Sequence, residues 1–364
     1  MRIRDIIDFL EAYAPVALQE SYDNSGLLVG DQNQDLQGAL ICLDVTDKII
    51  EEARSKKCNL IISHHPLIFK GLKQLTGSNY IERIVIKAIK NDIAIYASHT
   101  NLDKVKNGVS GMIAQKLGLK DPQILSEQKD MLRKLVTFCP IEKADMVRDS
   151  IFKAGAGHIG NYDDCSFSSI GTGTFRANEQ ANPYIGEVNK LHFENETRIE
   201  TIYPIFKEKQ ILKALFESHP YEEVAYDIYP LNNSMDSIGL GIIGELEKAV
   251  SEKDFLLYIK NHMKTKCVRH TPFRSRPIKK VAVCGGSGSF MTKTAINAGA
   301  DILITGDIKY HEFFDADGSI LLADIGHYES EQFTKDLLHS ILKEKFTNFA
   351  ILKSEINTNP VQYL

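Results

Sequence analysis

Runs of apolar residues without polar alternation predict several strands buried on both faces. One such run, residues 60–62, ends in the sequence Ser63-His64-His65-Pro66. Because the residue before a proline is kept out of the helical region, both imidazoles are expected at the rim of the sheet. Ligands bind at the carboxyl ends of strands in open α/β sheets, so the two histidines are candidate ligands. A polar turn with two capping histidines is the alternative.

Strands and helices alternate around this run. Strands are predicted at residues 38–44, 60–63 and 93–98, with helices at 46–56 and 80–90. This alternation is typical of an α/β fold with a largely parallel sheet.

The carboxyl-terminal part repeats the same order of elements. Strands are predicted at residues 280–284, 301–307 and 319–324, with helical stretches between them. We interpret this as a pseudo-duplicated core, although two generic β-α-β-α-β segments can also look alike by chance.

The middle of the chain has a different pattern. Its strands alternate polar and apolar residues or carry aromatic side chains, as in residues 197–203, which favours an antiparallel sheet with one solvated face. We therefore predict an inserted α+β domain at 128–235. It would separate a first half of the core at 1–127 from a second half at 236–364.

Length and charge narrow the class of protein. A chain of 364 residues fits two domains, or one large domain with an insertion. The net charge of -5 and the pI near 6.1 give no electrostatic footprint for nucleic acid or an anionic membrane. No apolar run approaches the roughly 20 residues of a membrane span, and the first residues favour an amphipathic helix over a secretory signal. We expect a cytoplasmic protein.

Two other features have plain structural interpretations. The six cysteines are scattered without a Cys-x-x-Cys pair, which indicates buried reduced thiols. The basic run at residues 269–276 is expected to be a solvated linker.

Ligand-type side chains follow three of the predicted strands. His64 and His65 follow one, Asp103 follows another with His99 nearby, and the last strand leads to a further histidine and glutamate, His327 and Glu331. The last two are four residues apart, so on a helix they share one face. Taken singly, such a pair is most often a solvated helix face, and a lone aspartate is most often a cap.

Three histidines and two carboxylates are too many ligands for one tetrahedral zinc ion with an open position. They suit two metal ions held close together, and the mixed nitrogen and oxygen donors favour Zn, Mn, Fe or Co over Ca or Mg. A water bridging two such ions loses its proton near neutral pH, which indicates hydrolysis.

A glycine-rich run, residues 285–288, offers a different site. Its free backbone N–H groups could hold a phosphate at a helix start. The run lacks the Lys-Ser/Thr of a P-loop and the dinucleotide spacing, so a tight structural turn is at least as consistent with it.

Several motifs together resemble one known family. They are YDNSGLLVGD at 22–31, LDVT at 43–46, SHHPLIF at 63–69, SHTNLD at 98–103, TGD at 305–307 and GHY-x-SE at 326–331. This combination is similar to the NGG-one-interacting factor three family, whose members are often described as type 2 homologues of GTP cyclohydrolase I. The resemblance implies a dinuclear metal site at His64, His65, Asp103, His327 and Glu331. It also implies a homohexamer, a ring built as a trimer of dimers, and a PII/CutA-like inserted domain.

Two functions are compatible with these motifs. The first is a metal-dependent hydrolase acting on GTP or a related heterocycle through a metal-bridging hydroxide, with Asp44, His99 and Asp307 as proton shuttles. The second is a non-catalytic metal-binding or protein-interaction ring with a regulatory insert. Turnover that requires the metal would separate them.

Overall fold

The structure of the protein, a computed structural model, describes all 364 residues. The chain divides into two compact units. The first consists of residues 1–127 and 236–364, and the second of residues 128–235. None of the helices combines the length and the apolar character that crossing a bilayer requires.

The helices and strands follow one another in three blocks. Residues 1–127 form α1 (Ile3–Tyr13), β1 (Gly26–Val29), β2 (Ala39–Cys42), α2 (Asp47–Ser55), β3 (Leu60–Ser63), α3 (Tyr80–Lys90), β4 (Ala94–Ala97), α4 (Thr100–Asp103), α5 (Val109–Lys116) and β5 (Lys120–Glu127). The second unit forms β6 (Leu132–Pro140), α6 (Ala144–Lys153), β7 (Ser166–Arg176), β8 (Leu191–Pro204), α7 (Glu208–Ser218) and β9 (Tyr226–Leu231). The remaining residues form β10 (Gly239–Val250), α8 (Glu252–His262), β11 (Arg269–His270), β12 (Ile278–Ser287), α9 (Thr292–Asn297), β13 (Ile302–Gly306), β14 (Leu321–Asp324), α10 (His327–Glu331), α11 (Thr334–Lys345) and β15 (Ile351–Lys353).

Two sheets build the first unit. One has the strand order β1-β4-β3-β2-β15, in which only the β1–β4 pairing is antiparallel. The other has the order β11-β14-β13-β12-β10-β5 and is mixed, because only the β12–β13 and β13–β14 pairings are parallel. The expectation of a largely parallel sheet therefore holds for the first sheet and not for the second.

Each sheet contains a strand from the other half of the chain. Strand β15 pairs with β2 in the first sheet, and β5 pairs with β10 in the second. Neither sheet is therefore built from residues 1–127 or from residues 236–364 alone.

Both sheets are covered on their two faces, which explains the uninterrupted apolar runs. In β3, Leu60 and Ile62 belong to one hydrophobic cluster and Ile61 to another on the opposite face. In β13, Ile302 and Leu303 likewise enter separate clusters. Successive side chains point to opposite faces of a strand, so a strand between two cores needs apolar residues at every position.

The second unit is a four-stranded sheet with two helices. Its strand order is β7-β8-β6-β9 and every pairing is antiparallel, as its alternating pattern predicted. Along the chain the order is β-α-β-β-α-β, the ferredoxin-like motif.

Two interpretations of the sequence were wrong in part. The basic run at 269–276 is not a solvated linker, because it supplies the edge strand β11 and Arg274, whose Nε donates a 3.0 Å hydrogen bond to buried Glu252. The cysteines are all free thiols, but Cys267 is exposed and Cys165 is partly so. The other four are buried.

Candidate metal centre

The five predicted ligands lie at one end of the two sheets of the first unit. His64 and His65 directly follow β3, Asp103 is the last residue of α4 after β4, and α10 begins at His327 and ends at Glu331 after β14. Each position is the carboxyl end of a parallel strand or the short helix that follows it. Side chains that leave neighbouring parallel strands at this edge can meet over the sheet, and these five do.

Glu331 is the centre of the cluster. Its Oε2 lies 2.9 Å from His65 Nε2 and 3.1 Å from His327 Nε2. Its other oxygen, Oε1, lies 3.6 Å from His64 Nε2, which is 3.7 Å from Asp103 Oδ1. One carboxylate therefore presents an oxygen to each of two groups of ligand-type atoms.

Three atoms of this cluster are buried and have no hydrogen-bond partner: His64 Nε2, Asp103 Oδ1 and Glu331 Oε2. The short distances from Glu331 Oε2 to the two imidazoles thus lack the angles of hydrogen bonds. A buried polar atom without a partner costs about 1–3 kcal/mol, so three within one cluster require an explanation. Divalent metal ions fit it, because imidazole nitrogen and carboxylate oxygen are the donors that transition metals bind.

The backbone fixes which nitrogen of His64 faces the cluster. Its Nδ1 lies 2.8 Å from the carbonyl oxygen of Ser98, so Nδ1 carries the proton and donates. The lone pair of neutral His64 is then on Nε2, which points at Glu331. Metal-binding histidines commonly have this arrangement, with the second ring N–H held by a carbonyl or carboxylate.

Asp44 and Asp307 contact the other two histidines at Nδ1, the ring nitrogen that does not face Glu331. Asp44 Oδ1 lies 2.7 Å from Nδ1 of His65, and Asp307 Oδ2 lies 2.7 Å from Nδ1 of His327. Asp307 has a φ of 54°, a left-handed conformation that aspartate tolerates better than most residues. The sequence suggested proton shuttling for both carboxylates, whereas their direct contacts are with ligand-type imidazoles.

His99 lies beside the cluster and is held by a residue that the sequence analysis did not single out. Its Nδ1 is 2.8 Å from Asp23 Oδ1, and Thr100 donates to the other oxygen of Asp23 from its backbone nitrogen at 3.0 Å. A ring nitrogen of His99 lies within 4.8 Å of ring nitrogens of His64 and His65. Asp23 is the second residue of the YDNSG motif, so the signal for it was present in the sequence.

The electrostatics of the cluster depend on its carboxylates. Burial by itself would lower the pKa of His65, but the neighbouring carboxylates of Asp44 and Glu331 raise it to about 10. Burial would also lower the pKa of His327, but the carboxylates of Glu331 and Asp307 raise it to about 9. Burial would raise the pKa of Glu331, but the surrounding imidazoles hold it well below its usual range. Without metal, the cluster therefore contains protonated imidazoles around an ionised carboxylate.

The glycine-rich run does not form a phosphate cradle. The backbone nitrogen of Gly286 donates to Ser330 Oγ at 2.9 Å, and that of Gly288 donates to Thr305 Oγ1 at 2.8 Å. Gly286 instead allows a close approach, because its φ is 61° and a Cβ at this position would lie 2.3 Å from Glu331 Oε1. Residues 285–287 belong to the end of β12, where its register with β13 shifts, so the run is neither a phosphate cradle nor the tight turn that the sequence also suggested.

The cluster opens into a cavity of about 1020 Å³. Part of its wall is the last segment of the chain, in which Thr358 donates a 2.6 Å hydrogen bond to Asp44 Oδ2 and Asn359 Nδ2 donates to Glu329 Oε1 at 3.1 Å. This segment has no helical or strand periodicity, so no pattern in the sequence indicates that it belongs to the site.

Fold and site together define a mixed α/β protein with a cluster of histidines and carboxylates that could hold metal ions. The family model of Duf34/NIF3 (NGG1p interacting factor 3) matches residues 1–360. The chain belongs to this family.

Relatives of known sequence and structure agree with this membership. A protein of Halalkalibacterium halodurans named GTP cyclohydrolase 1 type 2 homolog is 40% identical over 365 residues, which cover 99% of this chain and 98% of that protein. The crystal structure of a Bacillus cereus protein related to NIF3 has 38% identity and a TM-score of 0.86, covering 100% of this chain and 99% of the other. Staphylococcus aureus protein SA1388 has 33% identity and a TM-score of 0.79 over the same shares.

Proposed function

We propose that this protein binds two divalent transition-metal ions and is a metal-dependent hydrolase acting on a nucleotide or a related heterocycle. The observation that carries this proposal is the convergence of buried, unpartnered donor atoms on Glu331. Two oxygens of one carboxylate face two separate sets of donors, which suits a pair of ions better than a single one.

The donor atoms divide between two positions. His65 and His327, with Oε2 of Glu331, would hold one ion. His64 and Asp103, with Oε1 of Glu331, would hold the other. When bound, the ions would supply Lewis acidity and a strongly acidified water for hydrolysis. The mixed nitrogen and oxygen donors favour zinc, with Mn, Fe and Co as alternatives.

We assign the neighbouring polar residues to orientation and proton transfer. Asp44 and Asp307 fix the rings of His65 and His327 through their Nδ1 atoms, which leaves Nε2 of each ring free to hold an ion. His99 lines the cavity and is held at Nδ1 by Asp23. These contacts support a role for His99 in accepting or returning a proton at the edge of the cluster.

We assign the internal duplication, the type of the inserted domain and the assembly by analogy with the family. The pseudo-duplication is supported by the sheets, in which β4-β3-β2 and β14-β13-β12 have the same spatial order with an antiparallel edge strand beyond β4 and β14. The ferredoxin-like order of the second unit is compatible with a PII/CutA-like inserted domain. Assembly into a hexameric ring, a trimer of dimers, is part of the same proposal.

A non-catalytic metal-binding or interaction ring with a regulatory insert is the second candidate. The observation that favours it lies in the second unit, where β7 is an edge strand with apolar side chains in the open, including Phe167 and Ile170. An exposed edge of this kind can pair with another chain.

Metal analysis and turnover of matched variants test the hydrolase. Wild-type protein purified without chelator should carry close to two transition-metal equivalents per chain. Glu331→Gln should lose at least one, whereas Glu51→Gln, on the exposed face of α2, should lose none. A screen of nucleotides and heterocycles on metal-loaded protein then measures hydrolysis. Metal-free wild type that takes up neither Zn nor Mn would refute the site. If the wild type carries both metal ions but its turnover is indistinguishable from that of Asp103→Asn, the interaction ring becomes the better account.

A further inference from the structure

The charge of the cavity wall is strongly one-sided. No lysine lines the cavity, and its single arginine, Arg269, is paired with Asp324. Glu20 is paired with Lys104 at 2.8 Å. The five carboxylates that remain without a lysine or arginine partner are those of Asp44, Asp103, Asp307, Glu329 and Glu331.

Two bound metal ions would not make the net charge of the cavity wall positive. Two divalent ions would cancel four of the five negative charges, and ligating imidazoles are neutral. A triphosphate would therefore bring three or four further negative charges to a wall with no free cationic side chain. Sites for triphosphates combine their metal ions with arginine, lysine or free backbone N–H groups, and in the glycine-rich run of this cavity the N–H groups of Gly286 and Gly288 are already occupied.

Aromatic side chains form another part of the wall. Tyr22, Phe69, Tyr80 and Phe290 all line the cavity and are all exposed. Phe69 lies edge-on to His99 with ring centroids 5.7 Å apart, so part of this aromatic wall reaches the metal cluster. Exposed aromatic faces beside polar groups bind flat rings, because stacking on a base or another planar ring buries both faces.

We infer that the cavity takes a flat nitrogen heterocycle that is uncharged or cationic, of the nucleobase or nucleoside class, and discriminates against the corresponding triphosphate. This inference rests on the proposed function, since the occupant is taken to be the molecule on which the metal centre acts. It narrows the substrate from nucleotides in general to dephosphorylated ring compounds. Aromatic faces supply the attraction and the carboxylates exclude polyphosphate.

Binding to metal-loaded protein tests the inference. Guanine, guanosine, GMP, GTP and inorganic triphosphate are titrated by calorimetry at low salt, with the metal content measured after each titration. Guanosine should bind at least about 10-fold more tightly than GTP, and inorganic triphosphate should not bind. The difference should shrink in about 0.5 M salt, because screening weakens repulsion between charges.

Two phenylalanines provide a matched pair of variants. Phe290 is 63% exposed and lines the cavity, whereas Phe314 is 67% exposed and does not. Phe290→Ala should weaken guanosine binding by about 10-fold or more, as the loss of a stacking partner does. Phe314→Ala should leave it unchanged, and both variants should keep their metal.

Tighter binding of GTP than of guanosine, or no binding of any ring compound, overturns the inference. Guanosine binding without hydrolysis of any compound supports the ligand class but refutes the hydrolase. Preferential hydrolysis of GTP refutes the ligand class while the hydrolase stands.

Discussion

Thr358, near the end of the chain, donates its hydroxyl hydrogen to Asp44 Oδ2, which lies 314 positions earlier, at a distance of 2.6 Å. The other oxygen of Asp44 binds Nδ1 of His65. The last segment of the chain is therefore linked to a candidate metal ligand through one carboxylate.

Replacing Thr358 tests this link. In Thr358→Val the carboxylate of Asp44 loses its hydroxyl donor, so its hold on the ring of His65 should loosen. We expect a decrease in metal affinity of up to about 10-fold, the lower end of the range for partners of metal-binding histidines. Titration against a competing chelator measures it. Thr358→Ser keeps the hydroxyl and should match the wild type; a loss in Thr358→Ser without one in Thr358→Val, which keeps the methyl group, would show that the methyl contact matters instead.

Gly286→Ala should eject metal from the site. Its Cβ would lie 2.3 Å from Glu331 Oε1, so the central carboxylate would have to move. Gly299→Ala is a matched control, because Gly299 also has a positive φ of 73° but nothing lies within 4 Å of its Cβ position. Both variants should lose about 1–2 kcal/mol from the left-handed backbone. Only Gly286→Ala should lose metal, as elemental analysis would show; retention of both ions would contradict the central role of Glu331.

Metal binding should release protons. The pKa values of about 10 for His65 and about 9 for His327 in the metal-free protein are raised above the usual 6.5. Their protonated forms thus stabilise the metal-free fold below about pH 6.5, and this contribution is lost as the pH rises through 9 to 10. Metals bind the neutral imidazole, so affinity should rise over the same interval.

Calorimetry in buffers of different ionisation enthalpy measures this release. At about pH 7.5, the observed heat of zinc binding should vary with the buffer by an amount that corresponds to at least one proton released per chain. Glu331→Gln should release fewer, because its neutral amide no longer raises the pKa of the two imidazoles. A buffer-independent heat for the wild type would mean that both imidazoles are already neutral.

Removal of the second unit should leave the first folded. In the register of β5 and β10, Glu127 pairs with Gly239, so the chain leaves and re-enters the first unit at neighbouring positions. A short glycine-containing turn can therefore replace the segment. Circular dichroism should show a cooperative fold, and metal content should match the full chain. An unfolded product would show that the first unit depends on the second.

The sequence determined the elements that carry the site. Buried strands such as β3 and β13 were recognisable because both faces are covered, which demands apolar residues at every position. The spacing of His327 and Glu331 placed both on one short helix, α10. The same reasoning placed the five candidate ligands at strand ends, because polar residues that follow a buried strand leave the sheet at its edge.

Tertiary structure decided which of these residues meet and what each faces. The exchange of β5 and β15 between the sheets depends on pairings between distant segments, which no local periodicity encodes. Asp44 and Asp307 contact imidazoles across separate strands, so their orienting position could not be read from spacing. The carboxyl-terminal segment joins the site through side-chain hydrogen bonds of Thr358 and Asn359. Those bonds leave no repeating pattern in the sequence, because they depend only on where the folded sheets bring the chain.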